Sequence, residues 1–212
     1  TTLYAVWTAN TYAVTFNANG GSGEMSSQTF TYGVEQALVA NAFAREGHTF
    51  AGWSTSADGE VVYVDGANIS VSAPTTLYAV WTPNTYAVTF NANGGSGEMS
   101  NQTFTYGVEQ ALAANVFTRE GHTFAGWATS ADGEVVYNAG ANISVSAPTT
   151  FYAVWTANTY AVKFNANGGS GEMPSQTFTY GVEQAIAANA FAREGHTFAG
   201  RATSADGEVV YV

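Results

Sequence analysis

Thr11-Tyr-Ala-Val-Thr-Phe-Asn-Ala-Asn-Gly-Gly21 decides the architecture, because the chain contains it three times, nearly unchanged. The copies begin at Thr11, Thr85 and Thr159, and both intervals, 85 − 11 and 159 − 85, are 74 residues. A fixed period of this size is the mark of a repeat array. Within the stretch, Tyr12, Val14 and Phe16 alternate with Ala13 and Thr15, the pattern of a half-buried strand. Asn19-Gly20 and Gly20-Gly21 supply the positive φ angles of a tight reversal.

Working outward, Gln28-Thr-Phe-Thr-Tyr32 returns as a second strand that ends at Gly33. Val34, Ala37 and Leu38 stand at i, i+3 and i+4, which predicts one or two helical turns over 34–41, stopped by Asn41. Glu46-Gly47 marks a turn. Thr49-Phe-Ala-Gly-Trp53 is a third strand, and Gly52 inside it points to a bulge or a close backbone approach. Val61–Tyr63 and Ile69–Val71 are short edge strands. Thr76-Leu-Tyr-Ala-Val-Trp81 is the last strand, apolar on both faces. Thr82-Pro-Asn84 links it to the next copy.

The expected boundaries are repeat 1 at 11–84, repeat 2 at 85–158 and repeat 3 at 159–212. Residues 1–10 repeat 75–84 and are expected to be the last strand of a preceding repeat. The chain thus reads as a fragment of something longer. Leu3–Trp7 matches the strand that repeat 3 lacks, so strand exchange between copies is expected. The first two repeats differ at nine positions. The third departs more, with Lys163 for Thr15, Pro174 for Ser26, and Arg201 where Trp53 and Trp127 stand.

Composition bounds the function. Apolar residues make up 46% and charged residues 10%, which suits folded domains. Five Lys and Arg against sixteen Asp and Glu oppose nucleic-acid binding, which needs clustered cations. The same shortage opposes docking on anionic membranes. The absence of Cys excludes disulfides, thiolate metal sites and Cys nucleophiles. No apolar run approaches the ~20 residues of a membrane span.

The motifs resemble the Listeria–Bacteroides repeat family, to which the B repeat of internalin B is related. The resemblance rests on Val14–Gly21, Gln28–Gly33, Arg45-Glu-Gly-His-Thr-Phe-Ala-Gly-Trp53, Ala57-Asp-Gly59 and Thr76–Trp81, all recurring in order in the second repeat. It implies a mainly β to α+β fold: a tandem array of small β-grasp-like repeats. Each would be a mixed sheet of four to five short strands with at most one short helix. It also implies an extracellular setting, on the bacterial cell surface or secreted. The implied role is a non-enzymatic stalk or interaction region. It carries over no catalytic residue. His48, His122 and His196 stand where the family more often has Tyr, which suggests a pH-sensitive position.

No constellation for chemistry stands out. One His per repeat, without Cys, falls short of the three or four ligands of a metal site. Such a His is more simply a strand-start residue packed beside Phe50. Asp58-Gly-Glu60 lacks the ligand pattern of a calcium loop and is more simply a turn. Asn17–Gly23 lacks the Lys-Ser/Thr ending of a phosphate loop. The aromatic residues could form a stacking face for sugars or peptides, but a repeat poor in Leu and Ile needs them for its core. Candidates for a ligand face are therefore Trp53, Trp127, His48, His122 and His196. No cofactor and no metal is expected. Expected partners are neighbouring repeats, and a host glycan or surface protein. The alternatives are a dedicated glycan- or mucin-binding adhesin module, and accessory repeats of an exported hydrolase.

Overall fold

The structure is a computed structural model and describes residues 1–209 and 211. Residue contacts divide the chain into two compact units. One is Thr1–Thr89 with Asn101–Ala113 and Gly140–Thr150; the other is Phe90–Ser100 with Ala114–Ala139 and Phe151–Val212. The division runs through the second repeat rather than following the 74-residue period.

The described residues form strands and loops, with no helix. The first repeat holds β1 (Thr11–Asn17), β2 (Gln28–Thr31), β3 (Gln36–Ala37), β4 (His48–Ser54), β5 (Asn68–Ile69) and β6 (Thr75–Pro83). Its main sheet has the order β2-β1-β6-β4. β1 is antiparallel to β2, with Tyr12 opposite Phe30, and parallel to β6, with Phe16 opposite Leu77. β6 is antiparallel to β4, with Trp53 opposite Ala79. This mixed four-stranded sheet is the β-grasp-like arrangement expected. The register of β4 shifts between Phe50 and Gly52, which is the bulge expected at Gly52.

The first two repeats each bury one face, whereas no described residue of the third is fully buried. Val14, Phe30, Leu38, Phe43, Trp53, Ile69, Leu77 and Ala79 form the core of the first. The alternation of β1 is observed, with Val14 buried and Ala13 and Thr15 exposed.

The helix expected over 34–41 is not formed. The segment is extended, and its Gln36–Ala37 pairs with Asn68–Ile69. Its backbone groups are claimed by side chains. Gln28 Nε2 donates to Ala37 O (2.7 Å), and Val39 N donates to Gln28 Oε1 (2.9 Å). Leu38 N donates to Ala67 O, and Phe43 N donates to Asn41 Oδ1. These bonds satisfy, in an extended chain, backbone groups that an i→i−4 ladder would otherwise use. The same glutamines cover the outer edge of β2: Thr31 N donates to Gln36 Oε1. An open strand edge is thereby closed without another strand.

The Asn-Gly reversal also differs from a tight hairpin, since ten residues separate β1 from β2. Asn19 (φ 49°) and Gly20 (φ 85°) take the positive angles. Gly21 does not. A Cβ there would stand 2.8 Å from Trp81 Cζ2, and Trp81 Nε1 donates to Ala18 O at 2.9 Å. Gly21 is small so that the indole of β6 can cross the loop. Asn19 Nδ2 donates to Ala57 O and Ala79 O, tying the loop to β6.

The second repeat holds β7 (Thr85–Asn91), β8 (Gln102–Thr105), β9 (Gln110–Ala111), β10 (His122–Ala128), β11 (Asn142–Ile143) and β12 (Thr149–Ala157), in the order β10-β12-β7-β8. The third contributes β13 (Thr159–Val162) and β14 (Gln176–Thr179), an antiparallel pair. Its His196–Ala202 segment is not a strand, because this chain holds no counterpart of β6 beside it. Residues 1–10 form no strand here, and Leu3, Tyr4, Val6 and Trp7 are 86–94% exposed.

Candidate functional site

The segment linking repeats 1 and 2 is not a loop. β6 runs to Pro83, and Asn84 alone separates it from β7. Both backbone groups of Asn84 and its side-chain oxygen are used. Its N–H donates to Gly47 O (2.8 Å), its C=O accepts from Tyr106 N (2.9 Å), and its side-chain Oδ1 accepts from Thr49 Oγ1 (2.7 Å). One residue thus ties the 46–47 turn of the first repeat to the end of β8 in the second.

Over this stitch lies an aromatic contact. Gly47 (φ 66°) follows Glu46, and His48 Nδ1–H donates to Glu46 O at 2.7 Å, which sets the orientation of the ring. The edge of the His48 ring meets Tyr106 with centroids 5.6 Å apart and planes at 75°. The Tyr106 ring covers Gly47. Between repeats 2 and 3 the same parts recur. Asn158 N donates to Gly121 O, Tyr180 N donates to Asn158 O, and Thr123 Oγ1 donates to Asn158 Oδ1. His122 meets Tyr180 at 5.6 Å and 76°.

His48 and His122 are half-buried in these junctions, whereas His196, which has no following tyrosine in this chain, is exposed. Tyr32, with no preceding turn to lie on, is 57% exposed, against 37% for Tyr180. Glu120 lies beside Tyr180. Its charge, then partial burial, then hydrogen bonding to Glu120 and the neighbouring Tyr160 hold the phenol above its ordinary value of 10.0.

Trp53 and Trp127 are enclosed, each at 0% exposure. Trp53 packs against Phe16 (4.9 Å), Phe50 (4.9 Å) and Phe43 (6.1 Å), and Trp127 against Phe90, Phe124 and Phe117. Both indoles are core side chains, and a ligand face at either would require opening the sheet. Neither Nε1 has a protein acceptor, so they hold by ring packing alone. At the third copy, Arg201 Nη2 donates to Ala187 O (2.6 Å), with its guanidinium 5.2 Å from the Phe164 ring and 5.4 Å from Phe198. A cation there is held by two ring faces and a carbonyl.

The sequence gives no sign of a second surface feature. Beside each complete core lies an open cleft, of about 430 Å³ in the first repeat and about 380 Å³ in the second, with Phe16 and Phe43 or Phe90 and Phe117 among its lining. No group of three or more His, Asp or Glu among the described residues is placed to hold a metal ion. None of the helices the described residues could offer is long and apolar enough to cross a membrane, since they form none.

The family model of the Listeria-Bacteroides repeat domain matches residues 12–80, 86–154 and 160–212. A "Putative Gly-rich membrane protein" of Evansella cellulosilytica is 34% identical over 204 residues, covering 94% of this chain and 22% of that protein. Internalin H of Listeria monocytogenes is 27% identical over 150 residues, covering 69% of this chain and 25% of that protein. The chain therefore spans about a quarter or less of the length of these relatives. Three consecutive family matches, on the three copies that the strands and junctions repeat, place the chain in the Listeria-Bacteroides repeat domain family.

Proposed function

We propose that the chain is a non-enzymatic stalk or interaction region of a bacterial cell-surface or secreted protein. In this role it spaces other domains from the envelope and adheres weakly and multivalently. The observation that carries the proposal is the junction. Asn84 and Asn158 make the same three hydrogen bonds, and Tyr106 and Tyr180 cover the same turn glycine. A linker whose backbone is fully hydrogen-bonded transmits orientation from one repeat to the next, as a spacer requires. Relatives named as a membrane protein and as an internalin support an envelope setting. Weak single contacts gain from repetition through effective concentration.

The test is display. An epitope fused beyond one, two or three repeats on a surface anchor should become steadily more accessible to a bulky antibody. Accessibility that does not change with repeat number would contradict the spacing role. The adhesin alternative is favoured by one observation, the cleft that both complete repeats share.

A further inference from the structure

The shared cleft has a definite chemistry. It is lined by Phe16, Phe43 and the thioether-bearing Met25, with Asn17, Ala18, Gly23 (φ 101°) and Glu24. Glu24 is exposed, and among the described residues no ion pair engages it. In the second repeat Phe90, Phe117, Met99, Gly97 and Glu98 take the same places. The only basic residue of the first repeat, Arg45, reaches over Gly20 and does not line the cleft. A lining that combines aromatic rings, a thioether and an unpaired carboxylate suits a cation with an apolar stem, since ring faces and carboxylate both attract positive charge. The net charge of −11 adds long-range attraction for a basic partner.

We infer that the Phe16–Glu24–Phe43 cleft and its copy at Phe90–Glu98–Phe117 are docking sites for arginine or lysine side chains of a basic polypeptide partner. The inference rests on the interaction half of the proposed function and names its site and ligand chemistry. Each cleft takes one cationic side chain, with the carboxylate pairing the charge and the rings packing the stem. Binding is weak per cleft and falls as salt screens the exposed carboxylate.

The methionines provide the test. The chain has three, Met25, Met99 and Met173, and the first two line the clefts. Residues 1–212 with 13C-labelled methionine methyls are titrated with an end-capped Arg-Gly-Arg peptide and with its neutral citrulline isostere. The Met25 and Met99 signals should shift saturably with the arginine peptide and not with citrulline. Glu24→Gln with Glu98→Gln should weaken binding by roughly 2- to 5-fold per cleft, as for an exposed ion pair. Glu60→Gln with Glu134→Gln removes the same charge elsewhere and should change little. Three results would overturn the inference: methyl signals that stay still while the peptide binds, equal weakening by both pairs of substitutions, or no binding at low salt. Any of these leaves the spacing role standing if the display test succeeds, so the two can fail separately.

Discussion

The ring of Tyr106 lies so close over Gly47 that a Cβ on Gly47 would overlap it. Gly121 stands in the same relation to Tyr180. Gly195, the third copy, has no neighbour within 4 Å of that position. All three have φ near 70°.

This pattern separates two roles of one glycine. Gly195→Ala should cost about 1–2 kcal/mol, the strain of a left-handed residue with a side chain. Gly47→Ala and Gly121→Ala carry the same strain and also displace the tyrosine. Chemical denaturation should therefore show a larger loss for these two, with the tyrosine ring more exposed to solvent quenchers. Equal losses at all three positions would mean that the junction contributes nothing.

The core aromatic site yields a second expectation. Trp53→Arg places a charge where exposure is 0%, and should cost about 3 kcal/mol or more. That is comparable with the whole stability of a unit this small. Arg201→Trp should gain less than the burial of an indole suggests, because it forfeits the bond to Ala187 and only exchanges one set of contacts with Phe164 and Phe198 for another. Melting of the third repeat, followed by Phe198 ring signals, checks this. A large gain would show that Arg201 contributes nothing where it stands.

The second junction should respond to alkali. The raised pKa of Tyr180 means that the unfolded chain loses this proton first, near pH 10, while the folded chain keeps it. Its contribution to stability is complete below pH 10 and is lost as pH climbs through the folded value. Glu120→Gln should return the titration toward 10, because the nearby negative charge is the main cause. Ring-labelled tyrosine spectra, assigned with Tyr180→Phe, report it. An unchanged midpoint in Glu120→Gln would contradict the assignment.

Much of the sheet was legible in sequence where the signal is local. The period-2 pattern of Thr11–Phe16, the return at Gln28 and the bulge glycine Gly52 each declare themselves within a few residues. The extended 34–41 segment did not. Its apolar spacing is helical over only five residues, and the bonds that straighten it come from Gln28 and Ala67. Gln28→Ala should accordingly cost about 1–3 kcal/mol by leaving two backbone groups unmet, without adding helix by circular dichroism. A rise in helicity would show that the glutamine had been holding a helix off.

The junction was invisible for another reason. Tyr32 and Gly47 look like ordinary strand ends inside one repeat. Their copies meet only between repeats, as Tyr106 on Gly47, so no window of sequence contains the pair. His48, His122 and His196 were singled out as departures from a family pattern, and the first two lie at these meeting points. Trp53 and Trp127 were ambiguous because an aromatic residue on a strand serves core and surface alike until the opposite face is known.

The central claim is that adjacent repeats are joined by an ordered contact rather than a flexible tether. It is tested most directly by a distance distribution across the first junction. The chain has no cysteine, so spin labels at Glu60→Cys and Glu109→Cys, both exposed positions, report without background. Pulsed electron resonance should give one narrow distance distribution, broadened when Tyr106→Ala removes the ring over Gly47. A broad distribution in the unaltered chain, insensitive to Tyr106→Ala, would contradict the account.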